Sequence, residues 1–470
     1  MQMPNLKEAQ KRTRGKVQTL EFEFDSRFRN LGKGKTYFVK TYGCQMNEHD
    51  SENIKALLEE MGFTENDVLE DADVVLFNTC AIRENAHNKV FGMLGRMKHL
   101  KEEKPHIIVG LCGCMAQEES VVEEIKRKNK HVDFVFGTHN IHKLPNLLEK
   151  AMEEKELQIE VYSKEGDVIE NIPVKRDSKY KAWVNIMYGC DKFCTYCIVP
   201  YTRGKQRSRK KEDILDEVKS LKEKGYKEVT LLGQNVNAYG KDLDEDYKME
   251  NLLEDVSKTG IERIRFVTSH PWDFTDSMIE VISKYENIMP YIHLPLQSGS
   301  DRILKLMGRR YTKEDYLTLF HKLKEKIKNV SITTDIIVGF PGETREDFEQ
   351  TLEVVDACKY DGAFTFIFSP RVGTPAAKMK DDVSLEEKEQ RLYELNEKIN
   401  QYSNEANQAY KNRIVPVLIE GVSEKKADMM FGYTDTMKLV NVKADMEDIG
   451  KIINVRIVDV KTWSMDGEKV

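Results

Sequence analysis

Apolar positions along this chain follow two rhythms. From residue 35, short apolar runs at 37–40, 74–77, 107–111 and 134–136 alternate with longer stretches whose apolar residues return every three or four positions, such as Ile54, Leu57, Leu58 and Met61. Short runs read as strands and the longer period as helices, so the alternation predicts a parallel, doubly wound sheet closing near residue 154. Residues 155–175 are polar and aperiodic, and read as a linker. A second series follows, with strand candidates at 183–187, 229–232, 264–267, 291–294, 332–338 and 364–368, and helical segments such as 211–224, 312–326 and 344–358 between them. Six successive βα units predict a partial or full barrel. Residues 384–410, with Leu392, Leu395 and Ile399 in register, predict a connecting helix. From Val415 the period drops to two, at Val415, Val417 and Ile419, then Met437 and Leu439, then Ile453, Val455 and Ile457, which predicts a small all-β terminal domain. Residues 1–34, rich in Lys and Arg without a sustained period, read as a mobile basic arm.

Composition narrows the class. A chain of 470 residues exceeds what one hydrophobic core serves. Its longest apolar stretch, 107–116, is far short of the roughly 20 residues that span a bilayer, so no membrane partner is expected. The N-terminal stretch has no apolar segment or small-residue cleavage site, so no secretory signal is expected and the cytoplasm is the predicted location. In that reducing setting eight cysteines read as metal-bound, catalytic or buried, not as disulfides. The net charge of −7 argues as an average against a nucleic-acid partner. Its distribution argues the other way, because residues 175–211 hold eleven Lys or Arg against two Asp. Such a strip predicts an RNA-binding face, with Tyr180, Trp183, Tyr188, Tyr196 and Tyr201 as candidate stacking surfaces.

Chemistry concentrates in the cysteines. Cys190, Cys194 and Cys197 form a C-x3-C-x2-C triplet just past the first barrel strand. Three thiolates so spaced can hold three irons of a [4Fe–4S] cube and leave the fourth open; a zinc site completed from elsewhere is the alternative. The triplet, with Tyr196 before its last cysteine, resembles the radical S-adenosylmethionine superfamily. The resemblance implies cluster ligation by Cys190, Cys194 and Cys197, with S-adenosylmethionine on the open iron. Cys44, Cys80 and Cys114 each follow a predicted strand of the N-terminal sheet. Strand ends of one parallel sheet share an edge, so the three can converge as a second thiolate site; three separate buried thiols are the alternative. Cys112 reads as a buried strand residue and Cys358 as helix packing.

The runs GCQMNEHDSE (43–52), NTC (78–80), GCMAQ (113–117), GCDKFCTYC (189–197) and IVPYTRGKQRSR (198–209) together resemble the methylthiotransferase family. So do GQNVN (233–237), HLPLQSGSD (293–301), GFPGET (339–344) and SPRVGTPA (369–376). The run Cys44–Gln45–Met46–Asn47 resembles the branch acting on isopentenylated adenosine in tRNA. The resemblance implies an α/β protein of three parts: an N-terminal doubly wound parallel sheet domain with an auxiliary cluster (35–154), a central partial (βα)6 radical S-adenosylmethionine barrel (176–406) and a C-terminal small β-barrel, the TRAM domain (409–470). It implies two [4Fe–4S] clusters, with Cys44, Cys80 and Cys114 on the auxiliary one, and methylthiolation of carbon 2 of N6-(dimethylallyl)adenosine at position 37 of tRNA. The anticodon stem-loop is the implied partner, a low-potential donor such as a flavodoxin or ferredoxin the implied electron source, and a monomer the expected state.

Gln234, Asn235, Asn237, Arg203, Gly339 and Glu343 are the candidate cofactor contacts, amides for adenine or ribose and guanidinium for carboxylate. Arg207 and Arg209 are candidates for the methionine carboxylate or for RNA phosphate. Lys411, Arg413, Lys425 and Lys426 are candidates for gripping the RNA backbone. His270 is assigned no role. Related methylthiotransferases acting on threonylcarbamoyladenosine or on ribosomal protein S12, and a non-catalytic iron–sulfur sensor, remain alternatives at this point.

Overall fold

The computed structural model describes residues 18–81, 84–154, 156–161, 167–243, 245–424 and 426–470. Its first sheet has six parallel strands: β2 (Thr36–Tyr42), β3 (Thr64–Glu65), β4 (Val74–Thr79), β5 (Ile108–Gly113), β6 (Phe134–Phe136) and β7 (Gln158–Glu160), in spatial order 3-2-4-5-6-7. β4 is buried along its whole length, as a strand covered on both faces must be. One side is covered by Phe28, Ile54, Leu57 and Leu148, the other by Val90, Leu94 and Ile125.

Two expectations are corrected here. The basic arm is not a free tail over its described part: β1 (Thr19–Glu21) pairs in parallel with β8 (Val168–Glu170), and Phe28 is buried in the first core. Residues 1–17 lie outside the described residues. The segment read as a linker supplies β7 to the main sheet and β8 to that small pair. Strands of three residues are too short to show a period, so polar flanks hid them.

The barrel strands are β9 (Lys181–Asn185), β12 (Glu228–Leu232), β13 (Arg263–Phe266), β14 (Tyr291–His293), β15 (Ser331–Val338) and β16 (Gly362–Ile367); the two-stranded ribbon of β10 (Met187–Tyr188) and β11 (Arg207–Ser208) lies outside them. They form two three-stranded parallel sheets, joined edge to edge by a bridge from Ile264 to Ile288. The result is an open six-stranded half-barrel with helices on its outer side. The helix Leu385–Gln408 lies along β16.

The terminal strands β17 (Ile414–Ser423), β18 (Lys426–Thr434), β19 (Leu439–Lys443), β20 (Ile452–Val460) and β21 (Met465–Lys469) close into a barrel in the order 17-18-19-21-20. Val417, Ile419, Val440, Val455 and Ile457 fill it. Met437 is not a strand residue; it turns between β18 and β19 with φ of +63°. This barrel docks on the N-terminal ends of the half-barrel strands. Arg263 donates to the Tyr433 and Pro416 carbonyls, Arg265 to those of Thr434 and Asp435, and Lys181 pairs with Glu420. It therefore lies at the opposite end of the strands from the cysteine triplet.

Candidate active site

The triplet loop leaves the C-terminal side of β9. Gly189, at φ of +69°, begins it because a Cβ there would collide with the Lys205 carbonyl. Phe193 turns the chain left-handed at φ of +50°, between the first two cysteines. Thr195 anchors the loop, its amide donating to the Met307 carbonyl (2.9 Å) and its hydroxyl to that of Leu306 (2.8 Å). Arg309 Nη1 donates to Cys194 Sγ at 3.5 Å. Burial, reinforced by Cys194, pushes the Cys197 thiol up to about 12, and burial with Cys197 pushes Cys190 up as well. Thiols so desolvated become thiolates when a metal's charge offsets the cost. Among the described residues no three His, Cys, Asp or Glu side chains gather closely enough to hold a single metal ion. A four-iron cube carries its thiolates on separate corners, and three cysteines on one short loop fit that donor set.

Above β12 and β13 the structure holds buried acceptors that the protein leaves unpaired. Asn235 Oδ1, Asn237 Oδ1 and Ser269 Oγ have no hydrogen-bond partner. Their amide nitrogens are used, Asn235 on Asp273 (2.6 Å) and Asn237 on the His270 carbonyl (3.3 Å). Orphaned buried polar atoms are costly, and a ligand bearing amino and hydroxyl groups satisfies them. This fits S-adenosylmethionine at Asn235 and Asn237, and adds Ser269. Asp273 braces the triplet loop through Lys192 (2.6 Å) and also binds Lys241. Burial alone would raise its carboxyl, but the bonds from Lys192, Lys241 and Asn235 hold it at about 2. Burial and the charges of Arg309 and Lys192 lower His270 to about 2, leaving a neutral ring whose Nδ1 accepts the Trp272 amide. Thr268 and Gln297, both at positive φ, stand on neighbouring strand ends, a concentration of backbone strain usual at functional sites.

Two other expected contacts are placed differently. Gln234 donates to Met46 Sδ of the first domain. Glu343 is spent on protein partners, Oε2 accepting from the Gly339 amide of its own loop (2.7 Å) and from buried Arg391 of the helix Leu385–Gln408 (2.7 Å). Replacing Glu343 by Ala leaves Arg391 short of its buried partner and lowers stability by about 3 kcal/mol. A fall in the unfolding midpoint with unchanged S-adenosylmethionine affinity checks this structural role.

The second set of cysteines stands at one edge of the first sheet. Cys44 precedes the helix Gln45–Glu60, Cys80 follows β4 with its amide on the Tyr42 carbonyl (2.8 Å), and Cys114 follows β5. Gly113, at φ of +93°, is required because a Cβ would meet Asn78 and Thr79. Burial pushes the Cys114 thiol up, Arg203 pulls it back, and Cys44 adds to the rise. Cys112 is fully buried in the first core and Cys358 in the half-barrel core.

The two sets face one another across a domain interface. Cys114 and Ala81 pack against Ile198 and Tyr201, which follow the triplet. Arg203 is not at the cofactor amides; it is 3% exposed, with Nε on Cys114 Sγ (3.1 Å) and Nη2 on Asp50 (2.6 Å). The polar face of the helix Gln45–Glu60 is likewise buried: His49 meets Asn185, and Glu52 pairs with Arg176.

The basic strip is corrected by the same geometry. Arg209 binds Glu170 and Glu217, Lys175 binds Glu59 and Glu65, and Arg207 is buried beside Tyr188. Tyr180 packs beneath the terminal barrel, bonded to the Glu420 carbonyl, and Tyr201 is in the interface. Seven of the eleven cations, Lys175, Arg176, Lys181, Lys192, Arg203, Arg209 and Lys211, pair with acids from other segments, so most of the strip's charge holds the fold together, while Lys179 and Lys210 stay exposed.

Sequence profiles agree with this three-part architecture. One described as Radical SAM superfamily matches residues 184–355, Uncharacterized protein family UPF0004 matches 36–137, and TRAM domain matches 408–470. They define a radical S-adenosylmethionine enzyme with a UPF0004 domain before the barrel and a TRAM domain after it. The chain is 56% identical over 468 residues to the tRNA-2-methylthio-N(6)-dimethylallyladenosine synthase of Staphylococcus epidermidis, covering 99% of this chain and 91% of that protein. It is 57% identical over 468 residues to the synthase of the same name from Staphylococcus saprophyticus, with the same coverage. The chain belongs to the tRNA-2-methylthio-N(6)-dimethylallyladenosine synthase family. A radical S-adenosylmethionine methyltransferase from Kitasatospora setae shares the fold, with a TM-score of 0.52, 14% identity, and 73% of this chain and 75% of that chain covered.

Proposed function

We infer that this enzyme methylthiolates carbon 2 of N6-(dimethylallyl)adenosine at position 37 of tRNA. The observation that carries the reading is the facing of two cysteine sets across one interface, with Arg203 and the Ile198–Tyr201 packing holding them together. Cys190, Cys194 and Cys197 hold one [4Fe–4S] cluster, and Cys44, Cys80 and Cys114 hold an auxiliary one. With S-adenosylmethionine bound, these groups supply the radical chemistry, the methyl group and the sulfur that an unactivated C–H bond demands, because no side chain deprotonates that carbon at neutral pH.

The chain's own residues bind and orient. Asn235, Asn237 and Ser269 offer acceptors to the cofactor's amino and hydroxyl groups. Lys192 and Asp273 fix the triplet loop, Arg309 donates to Cys194, and the buried Arg203–Asp50 pair closes the interface. The terminal barrel contributes exposed Lys411 and Arg413 to the RNA; Lys426 is held by Asp466, and Lys425 lies outside the described residues. A tRNA that reaches both the barrel and the triplet runs alongside the half-barrel, about 26 Å for its eight-residue strand β15. Among the described residues no helix is long and apolar enough to cross a membrane. The enzyme works as a cytoplasmic monomer on the anticodon stem-loop, reduced by a flavodoxin or ferredoxin.

Digestion and mass spectrometry of tRNA from a strain lacking the gene tests the reading. The 2-methylthio-dimethylallyladenosine disappears, its dimethylallyl precursor accumulates, and the gene restores the product. Unchanged product in the deletion strain overturns it.

A further inference from the structure

The inner face of the half-barrel carries an apolar patch that the cofactor and cysteine sites leave unused. In β16, Ala363 and Ile367 pack into the core and Thr365 Oγ1 donates to Asn396 of the helix Leu385–Gln408 (2.7 Å), so this set points outward. Strand alternation sends Phe364 and Phe366 to the opposite, inner face. There they are 56% and 41% exposed, two phenylalanines side by side. Large apolar side chains exposed together mark a binding surface more often than an accident of folding. The patch has a polar border. The Phe364 ring meets His293 edge-on at 5.9 Å, His293 Nδ1 lies 3.0 Å from Thr333 Oγ1, and its Nε2 lies 3.3 Å from Asp335 Oδ1. The patch also reaches the catalytic loop, because Phe366 pairs in register with Ile337, which packs in the same cluster as Tyr196 of the triplet.

We propose that Phe364 and Phe366 form the recognition site for the dimethylallyl group of the substrate adenosine, with His293 and Asp335 facing the ring edge that bears it. This rests on the reaction inferred above. The occupant follows from its chemistry: a branched five-carbon tail needs an apolar wall, and the nitrogen that carries it needs polar neighbours, which is the order of groups along this face. On adenine, the substituted carbon 6 and the reacting carbon 2 flank the same ring nitrogen. A tail held on β16, with its nitrogen beside Asp335 of β15 and His293 of β14, therefore turns carbon 2 across the sheet toward β13 and β12, whose loops carry Ser269, Asn235 and Asn237. Losing apolar contacts of this size weakens recognition about tenfold.

Anticodon stem-loops with and without the dimethylallyl group separate this site from general RNA binding. The reconstituted wild-type enzyme is expected to bind the prenylated RNA about tenfold more tightly than the unprenylated one. In the double variant Phe364→Ala/Phe366→Ala the two RNAs bind equally, affinity for the unprenylated RNA is unchanged, and KM for the prenylated RNA rises about tenfold. The Phe364→Leu/Phe366→Leu variant keeps an apolar wall and restores most of the preference. Retained preference in the alanine variant, or equal weakening toward both RNAs, overturns the proposal. Preference lost as completely in the leucine variant as in the alanine variant overturns it too. Absence of methylthiolated product from the wild-type enzyme is a different failure, that of the reaction itself, and is read separately.

Discussion

Alanine at any one of Cys190, Cys194 or Cys197 is expected to abolish formation of 5′-deoxyadenosine, whereas alanine at Cys44, Cys80 or Cys114 is expected to preserve it and abolish only the methylthiolated RNA. The difference follows from how the two sets are mounted. The triplet sits on one short loop, fixed to the half-barrel by Thr195, Arg309 and the Lys192–Asp273 pair. The second set stands on three strand ends of another sheet. Removing one thiolate disables the site it belongs to and leaves the backbone of the other intact. Residues that act as a unit fail as a unit, so a triple variant within one set loses no more than a single one. Cys358→Ala, far inside the core, is the control and costs only packing. Product analysis by chromatography, RNA mass spectrometry and iron counting distinguish the outcomes. Persistent 5′-deoxyadenosine in a triplet variant would sink the assignment of these residues.

Much of this arrangement was readable from the chain because each layer left a local mark. The period of 37–40 against 54–61 marks strand and helix, and three cysteines just past three strands mark one sheet edge. The loop position of Asn235 and Asn237 was legible, and each is buried there with an unpaired Oδ1. What stayed hidden depends on long-range pairing. Arg203 looked like a ligand for an anion, but its anion is Asp50, 153 positions earlier in the chain. The eleven cations of 175–211 were counted without Glu52, Glu59, Glu170 and Glu217, which reach them through the fold. A single clue was present: Asn47, Asp50 and Glu52 are polar residues within a helix whose apolar face is already complete, and a second buried face is what such a helix needs when another domain covers it. Ser269, Asp273 and Arg309 carried no comparable signal, since nothing about a lone serine, aspartate or arginine in a loop marks its burial.

Arg203→Ala is expected to be the most destabilising substitution outside the cysteines. Arg203 and Asp50 are 3% and 5% exposed and bonded at 2.6 Å, and the same guanidinium donates to Cys114 Sγ at 3.1 Å. Removing one partner of a buried pair strands the other, at a cost of about 3–5 kcal/mol. Burial already raises the Asp50 carboxyl, with Arg203 acting against the rise. Without Arg203 that carboxyl rises further, so the folded variant takes up a proton that the unfolded chain releases in the ordinary carboxylate range. The stability tied to that proton is present below the unfolded pKa and is lost as pH increases through the raised folded value. The variant's deficit is therefore smallest in mild acid and grows toward neutrality, a trend that a simple cavity would not produce. Asp50→Asn in the Arg203→Ala background removes the stranded charge and flattens this dependence, while Arg203→Lys keeps the charge but not the forked geometry and falls between. Unfolding midpoints at two pH values decide the matter. An equal loss at both would mean that Arg203 contributes packing alone, and that the contact between the two cysteine sets is held by Ile198 and Tyr201 without an ion pair.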